Sequence, residues 1–193
     1  MTRHRQSLPR KYFEELYASS PDPWNFASSE YEREKYQATL ETIDSYYQSG
    51  LEIGCSIGIF TQTLAQRGSR LLAVDISERA LRQARERCAH LSQVEFRRLA
   101  LPEELPDGGF DLIVLSEVGY YWTVSDLDRF ICWVPGVLWP GGLCILVHWT
   151  GQTDYPLTGD EVHDHFREAT QGFLRLRRSV RHQSYRLDAL IKF

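Results

Sequence analysis

Two short apolar runs constrain the fold of this chain more than any other feature. The first covers residues 51–53 and breaks into a loop with Gly54 and Gly58; the second covers residues 71–74 and ends in Asp75, about 20 residues beyond the first glycine. A strand, a glycine-bearing loop, a helix and a strand ending in a carboxylate form the first βαβ unit of a nucleoside-binding α/β fold. The glycines let the backbone pass close to a ligand, and the carboxylate can accept hydrogen bonds from both ribose hydroxyls.

The residues of this loop do not fit a dinucleotide. Ser56 interrupts the G-x-G-x-x-G pattern, and Glu52 lies two residues before the first glycine. A pyrophosphate would be held by N–H donors and cations, whereas a carboxylate suits a ligand with a positive charge and an amino group. S-adenosyl-L-methionine, whose demethylated product is S-adenosyl-L-homocysteine, is such a ligand. We therefore expect Glu52 and the backbone of residues 54–56 to hold its methionine part, Asp75 its ribose and Ile76 its adenine.

Composition limits the class of protein. With 193 residues and a formal net charge of −4, the chain predicts one domain with a single core and no strong attraction to nucleic acid or an anionic membrane. Its four cysteines are widely spaced, which favours a reduced cytoplasmic setting over a disulfide framework. No apolar stretch reaches the roughly 20 residues of a membrane span. The basic segment 1–10 is not followed by an apolar core, so no secretory signal is expected.

The N-terminal quarter predicts two helices separated by a proline-rich break. Residues 7–20 carry aromatic side chains on one side, and a second helix is predicted to start after Ser29 and to run to about Tyr47. We expect residues 1–48 to cover the cofactor site and residues 49–193 to form the core of the same single domain.

From residue 51 the chain alternates between strand and helix patterns, which predicts a mostly parallel sheet with helices on both faces. Strands are predicted at 51–53, 71–74, 94–97, 110–115 and 143–147, the last after a turn at 140–142. Helices are predicted at 59–67, 78–90 and 125–138. Ser125 and Asp128 stand in capping positions, and Pro135 is expected to bend or end that helix early. A capping box at Thr158 and Glu161 starts another helix, and residues 173–181 and 184–193 predict a closing antiparallel hairpin.

Several segments together resemble a known family. They are Asp22-Pro23-Trp24-Asn25-Phe26, Tyr31-Glu32-Arg33-Glu34-Lys35-Tyr36, Glu52-Ile53-Gly54-Cys55-Ser56-Ile57-Gly58, Val74-Asp75-Ile76-Ser77 and the run 110–118. The chain resembles class I S-adenosyl-L-methionine-dependent methyltransferases and, within them, the NodS family of nodulation N-methyltransferases, over most of its length to about Leu146. The resemblance implies an α/β fold with a doubly wound seven-stranded sheet, Rossmann-like, and an amino acceptor on a sugar or oligosaccharide.

Ala100 is a departure from many relatives of this kind. They place an aspartate there, facing the adenine amino group, so only backbone groups of Ala100 and Leu101 are expected to contact the adenine. The residues that we expect to bind the cofactor are Trp24, Arg33, Glu52, Gly54, Cys55, Ser56, Gly58, Asp75, Ile76, Ala100, Leu101 and Ser116. No metal ligand is expected, because His163 and His165 are two apart on a helix and point to different faces.

Two residues are candidates for catalysis. Glu117 follows the fourth predicted strand, at the mouth of the crevice, and could orient an acceptor amine or contact the cofactor's ammonium; the alternative is a solvated loop carboxylate. His148 ends the fifth strand and could act as a general base, or be only a hydrogen-bonded polar group. Arg33 could clamp the methionine carboxylate or form a surface ion pair with Glu30 or Glu34.

Two other classes of enzyme fit the sequence less well. Tyr31 and Lys35 form the Y-x-x-x-K pair of short-chain dehydrogenases, but they precede the glycine loop instead of following it. A nucleobase methyltransferase would carry an Asp/Asn-Pro-Pro-aromatic tetrad where Ser116 begins a different sequence. A methyltransferase of another small metabolite and a non-catalytic cofactor-binding subunit stay open, as do N- against O-methylation and a monomer against a weak homodimer.

Overall fold

The computed structural model describes residues 3–193; residues 1 and 2 of the predicted N-terminal segment lie outside the described part. The helices are α1 (Arg10–Ser19), α2 (Glu30–Leu40), α3 (Ile59–Leu64), α4 (Glu78–Arg87), α5 (Val124–Val137) and α6 (Gly159–Thr170). The strands are β1 (Gly50–Ile53), β2 (Leu71–Asp75), β3 (Val94–Arg98), β4 (Phe110–Ser116), β5 (Leu138–Trp149), β6 (Leu174–Arg181) and β7 (Tyr185–Lys192).

Within residues 3–193 these strands form one seven-stranded sheet in the order β3-β2-β1-β4-β5-β7-β6. Strands β1 to β5 pair in parallel, and β7 runs antiparallel to both β5 and β6. The predicted doubly wound sheet with a closing hairpin is therefore confirmed. The strand order reverses at β1 and β4, so a crevice opens at the carboxyl ends of these two strands.

Alternate residues of β4 face the two layers of the core. Ile113 and Leu115 pack in a cluster with Phe130 of α5 and Phe166 of α6, whereas Leu112 and Val114 pack on the opposite face with α3. Such two-sided burial explains why this strand is a continuous apolar run. No helix within residues 3–193 combines the length and the apolar character that crossing a bilayer requires.

Helix α2 is shorter than predicted. It ends at Leu40, whereas the periodicity extended to Tyr47. The Tyr47 N–H donates to the Arg67 carbonyl (3.0 Å) and its hydroxyl to the Leu64 carbonyl (2.9 Å), so this residue is buried by packing on the segment after α3. The apolar spacing reflected tertiary contact and not a continuing helix.

The predicted start of α5 was also wrong. Thr123 is the N-cap, and its hydroxyl accepts the Asp126 N–H at 3.3 Å, so Ser125 and Asp128 already lie inside the helix. Pro135 is accommodated within the helix, near its end. The Lys192 ammonium donates to the carbonyls of Pro135 and Leu138, both at 2.7 Å, and so satisfies acceptors at the helix end.

Strand β5 begins at Leu138, five residues earlier than predicted. Phe110 pairs with Leu138 and Leu112 with Leu143, so residues 139–142 form an irregularity within the pairing instead of a turn before it. Helix α4 ends three residues before the predicted boundary at 90. The capping box of Thr158 and Glu161 is confirmed.

Replacing Gly58 by alanine tests the turn that joins β1 to α3. Gly58 has a φ of +80°, and a Cβ there would lie 3.0 Å from both Cα and Cβ of Ala84. We expect Gly58→Ala to lower the free energy of unfolding by about 1–3 kcal/mol, because an L side chain is strained at this φ and Ala84 is fixed in α4. Chemical denaturation measures the change.

The matched control is Gly136→Ala, at a helical position with open space around it. This change should leave stability equal or raise it by up to about 1 kcal/mol. Equal stability of the Gly58 variant and the wild type would contradict the strain argument.

Candidate active site

A crevice of about 560 Å³ lies at the carboxyl ends of the parallel strands. Its walls come from α1, from the start of α2 and from the loops that follow β1 to β5. Eight of the twelve residues that we expect to bind the cofactor line this crevice. They are Trp24, Gly54, Ser56, Asp75, Ile76, Ala100, Leu101 and Ser116.

The glycine loop and the end of β2 are tied together by backbone hydrogen bonds. The Ser56 N–H donates to Oδ2 of Asp75 at 2.9 Å, and the Ser77 N–H donates to Oδ1 at 2.8 Å. Burial raises the pKa of Asp75 to about 6, although these N–H groups oppose the shift. The carboxylate is thus held in one orientation at the crevice wall, where a ligand's hydroxyls can reach it.

Glu52 lies beside the crevice with one oxygen unpaired. The residue is 2% exposed, and among residues 3–193 its Oε2 has no hydrogen-bond partner. It lines a cavity of about 20 Å³ together with Cys55 and Tyr36, and this cavity shares Gly54 and other wall residues with the main crevice. Burial raises the pKa of Glu52 to about 8, although the nearby Thr61 hydroxyl opposes the shift. A buried acceptor of this kind is costly unless something pairs with it, which suits a cationic ligand.

A buried cation holds α2 against the loop after β4. Lys35 is 1% exposed, and its ammonium lies 3.0 and 2.9 Å from the two Glu32 oxygens and also donates to Glu117 Oε1. Although burial opposes it, these carboxylates raise the pKa of Lys35. Burial raises the pKa of Glu32. Lys35 therefore stays charged and contacts both Glu32 and Glu117, which line the crevice.

Glu117 reaches the crevice from a left-handed backbone conformation, with a φ of +57°. Its Oε2 accepts the Tyr120 hydroxyl at 2.6 Å and the Trp149 N–H at 3.0 Å. Each of its oxygens has two acceptor positions, and only one contact is made at Oε1. A ligand N–H can therefore be received there without breaking the existing bonds.

Aromatic rings form the wall next to Glu117. Tyr120 stacks on Tyr155 with centroids 5.3 Å apart, and Tyr121 meets Tyr155 edge-on at 4.6 Å and Phe13 of α1 at 4.9 Å. All four residues line the crevice. Such faces, beside a carboxylate, suit the apolar face of a ring or a positively charged group.

Two of the predicted site residues lie away from the crevice. Arg33 has a side chain 65% exposed, with Nη2 3.7 Å from Glu30, which matches the alternative of a surface ion pair. Gly58 packs against Ala84 of α4 instead of facing the crevice.

His148 is also absent from the crevice wall. It is fully buried, its Nε2 accepts the Gly119 N–H at 3.0 Å, and its Nδ1 lies 3.1 Å from Nε2 of His163. Burial lowers the pKa of His148 well below its usual value. Both ring nitrogens are engaged inside the protein, so this placement argues against a direct role as the base.

The two histidines of α6 have different surroundings. His163 is buried beside His148, and His165 contacts Asp128 on the surface at 2.6 Å. Among residues 3–193 no group of three or more histidine, cysteine or acidic side chains is arranged to hold a metal ion.

Sequence reasoning missed Lys35 and Tyr17 as site residues. The Tyr17 hydroxyl hydrogen-bonds the Ser56 hydroxyl, so α1 contacts the glycine loop directly. Tyr17 lies four residues after Phe13, and both are buried on one face of α1. That spacing was the available signal for a helix face turned toward the site.

Comparison with known proteins identifies the family. The family model described as Nodulation protein S (NodS) matches residues 10–134. Nodulation protein S of Bradyrhizobium diazoefficiens is 36% identical over 107 residues, covering 52% of this chain and 49% of that protein. The chain thus spans about half the length of this relative.

Solved structures share the fold over nearly the whole chain. The crystal structure of the N-methyltransferase NodS from Bradyrhizobium japonicum WM9 in complex with S-adenosyl-L-homocysteine has a TM-score of 0.81 and 24% identity, covering 95% of this chain and 97% of that one. A putative methyltransferase from Pseudomonas syringae has a TM-score of 0.72 and 33% identity, covering 84% and 99% respectively.

Removing the buried ammonium tests the Lys35 cluster. Lys35→Met keeps much of the side-chain volume but leaves Glu32 and Glu117 facing each other without a counter-charge. We expect the free energy of unfolding at pH 7 to fall by about 3–5 kcal/mol, the usual cost of removing one partner of a buried ion pair. Denaturant titration measures it.

The control is Lys11→Met, which removes an exposed lysine 3.7 Å from Glu15 within α1. Exposed pairs of this type contribute at most about 0.5 kcal/mol. A Lys35 variant no less stable than the Lys11 variant would show that the buried pair does not hold α2 in place.

Proposed function

The chain belongs to the Nodulation protein S (NodS) family, and on this basis we propose that it is an S-adenosyl-L-methionine-dependent methyltransferase that N-methylates an amino sugar or oligosaccharide. The observation that carries the proposal is that two carboxylates in different surroundings, Asp75 and Glu52, flank the glycine loop. Asp75 ends β2 in a fixed orientation, and Glu52 presents an unpaired buried oxygen beside the glycine loop.

The residues present fit this cofactor. Asp75 would accept the ribose hydroxyls, Ile76 and Leu101 would flank the adenine, and Glu52 would take the ammonium of the methionine part. When bound, S-adenosyl-L-methionine supplies a methyl group on a sulfonium centre, ready for in-line displacement. The chain's own contribution is to align the acceptor and exclude water from the crevice.

The acceptor end of the crevice supports an amine carried on a ring. Glu117 can receive an N–H on Oε1, and the faces of Tyr120 and Tyr155 offer a stacking surface. Trp149, which is partly exposed and lines the crevice, would extend that surface toward solvent for a longer sugar chain. We propose Glu117 as the residue that orients the acceptor nitrogen, and no role as a base for His148.

The setting of the protein is part of the proposal. Cys55, Cys88 and Cys144 are buried free thiols and Cys132 is an exposed one, which supports a reducing cytoplasm. A monomer or weak homodimer, and the absence of nucleic acid and membrane partners, stay predictions.

Removing the ribose acceptor tests the cofactor site. We expect Asp75→Ala to weaken S-adenosyl-L-methionine binding by at least about 100-fold, since two hydrogen bonds to a charged acceptor are lost, each contributing roughly 1.5–3 kcal/mol. Calorimetric titration measures the affinity. Asp107→Ala, at an exposed loop position, is the control and should bind as the wild type does; unchanged binding by the Asp75 variant would overturn the assignment.

The raised pKa of Glu52 predicts proton release on binding. At pH 7 a carboxyl group with a pKa of about 8 is mostly protonated, and an ammonium beside it favours the ionised form. Binding of S-adenosyl-L-homocysteine should therefore release about one proton per molecule at pH 7 and almost none above pH 9.5.

Calorimetry in two buffers of different ionisation enthalpy measures this release. Glu52→Gln cannot ionise and should bind with little proton release at either pH. Proton release that persists in the Glu52→Gln variant would assign it to another group and remove Glu52 from the ammonium site.

The acceptor is tested by transfer of a labelled methyl group to amino sugars and deacetylated chitooligosaccharides. The proposal expects label on the amine nitrogen, and hydroxylated sugars without the amine serve as controls. Transfer of the label to oxygen, or to small metabolites alone, would show that the acceptor belongs to another chemical class. Tight cofactor binding with no transfer would favour a non-catalytic binding subunit.

A further inference from the structure

We propose that His148 is a positioning residue: through a buried chain of hydrogen bonds that starts at Asp188, it fixes the loop that carries Glu117 and Tyr120 into the crevice. This inference deepens the proposed function, and the activity measurements that test it rest on that function. The hydrogen bonds belong to the free protein and do not depend on it.

The chain of hydrogen bonds has one consistent direction. Asp188 lies 2.9 Å from Nδ1 of His163, Nε2 of His163 lies 3.1 Å from Nδ1 of His148, and Nε2 of His148 accepts the Gly119 N–H at 3.0 Å. An ionised carboxylate only accepts, so Nδ1 of His163 carries a proton. Its Nε2 is then the acceptor for an Nδ1–H of His148, and this leaves Nε2 of His148 free to accept from Gly119.

Burial and charge keep both imidazoles neutral. Both rings and Asp188 are inaccessible to solvent. Although burial opposes it, hydrogen bonds from His163 and Ser179 lower the pKa of Asp188 to about 2, and Arg186 lies 3.0 Å from the same carboxylate. Burial lowers the pKa of His163 below its usual value, as it does for His148. A second proton on His148 would remove the acceptor that Gly119 uses.

The last residues of β5 hold this loop at three consecutive positions. The Glu117 N–H donates to the Val147 carbonyl at 2.9 Å, the Gly119 N–H donates to the His148 ring, and the Trp149 N–H donates to the Glu117 side chain. Of these three contacts, the His148 contact is made by a side chain of β5, whereas the other two use the β5 backbone. A substitution in β5 can therefore remove the His148 contact without changing the backbone.

The absence of a side chain at Gly119 allows this contact. A Cβ at Gly119 would lie 3.0 Å from Nε2 of His148 and 2.7 Å from Cγ1 of Val162. The glycine lets the backbone approach the ring closely, and the 3-10 turn that follows, Gly119–Tyr121, directs Tyr120 and Tyr121 to the crevice. The left-handed conformation of Glu117 is held within the same set of contacts.

Nitrogen NMR of the free protein tests the chain without any assay of activity. Spectra of the ring nitrogens at pH 7 should show His148 and His163 as neutral rings protonated on Nδ1, with a coupling across the hydrogen bond between the Gly119 amide and Nε2 of His148. A proton on Nε2 of His148, or a doubly protonated ring, would overturn the proposal.

Two substitutions at His148 separate positioning from general stability. His148→Phe keeps a ring but removes the acceptor, whereas His148→Gln places a carbonyl oxygen near the position of Nε2. Using the labelled methyl donor and a deacetylated chitooligosaccharide, we expect kcat of the phenylalanine variant to fall roughly 10- to 100-fold, as misplacement of a positioned group does. Its affinity for S-adenosyl-L-homocysteine should change less than about 3-fold, and the glutamine variant should regain most of the activity.

His165→Phe, on the surface of the same helix as His163, is the control and should act as the wild type does. A fully active His148→Phe, or a glutamine variant no better than phenylalanine at equal thermal stability, would overturn the positioning role. Absence of transfer by the wild type would instead count against the proposed function and leave the NMR result to decide the hydrogen-bond chain.

Discussion

The ammonium of Lys35, buried between Glu32 and Glu117, is the interaction on which the site depends. It joins the N-terminal helix α2 to the loop after β4, two elements that are 82 positions apart in sequence. Without a cation, two carboxylates at one crevice wall would repel each other or take up a proton. With it, both carboxyl groups contact one cation and Glu117 is held in a defined geometry, so Glu117 can face a ligand as an oriented acceptor.

The acidic groups at and beside the crevice differ in their hydrogen-bond partners. Asp75 is hydrogen-bonded by backbone N–H groups, which limits the rise of its pKa to about 6, whereas Glu52 lacks a partner for one oxygen and its pKa rises to about 8. Glu117 has a lysine, a tyrosine and a backbone N–H as partners. The three carboxyl groups therefore suit three tasks: to accept from neutral hydroxyls, to pair with a cation, and to hold an uncharged or cationic donor in place.

The alternation of strand and helix was predictable because each element carries its own periodicity, and the glycine loop and Asp75 were predictable because they lie within one local βαβ unit. The burial of Lys35 was not predictable, because the run from Glu30 to Gln37 is mostly polar and has the pattern of a solvent-facing helix. Its burial depends on Glu117, far away in sequence. The contacts of His148 could not be predicted for the same reason: its partners His163 and Gly119 come from other elements.

This difference follows from how the two halves of the crevice are built. The centre of the proposed cofactor half, the glycine loop and Asp75, comes from one stretch of sequence and keeps a recognisable spacing. The acceptor half is assembled from α1, the loop after β4 and the end of β5, which meet only in the folded chain. Small changes in the loop after β4 or at the end of β5 can alter this wall while leaving the residues of the glycine loop unchanged. A family resemblance therefore constrains the cofactor more tightly than the acceptor, whose fit depends on the aromatic rings and the Glu117 contacts of this chain itself.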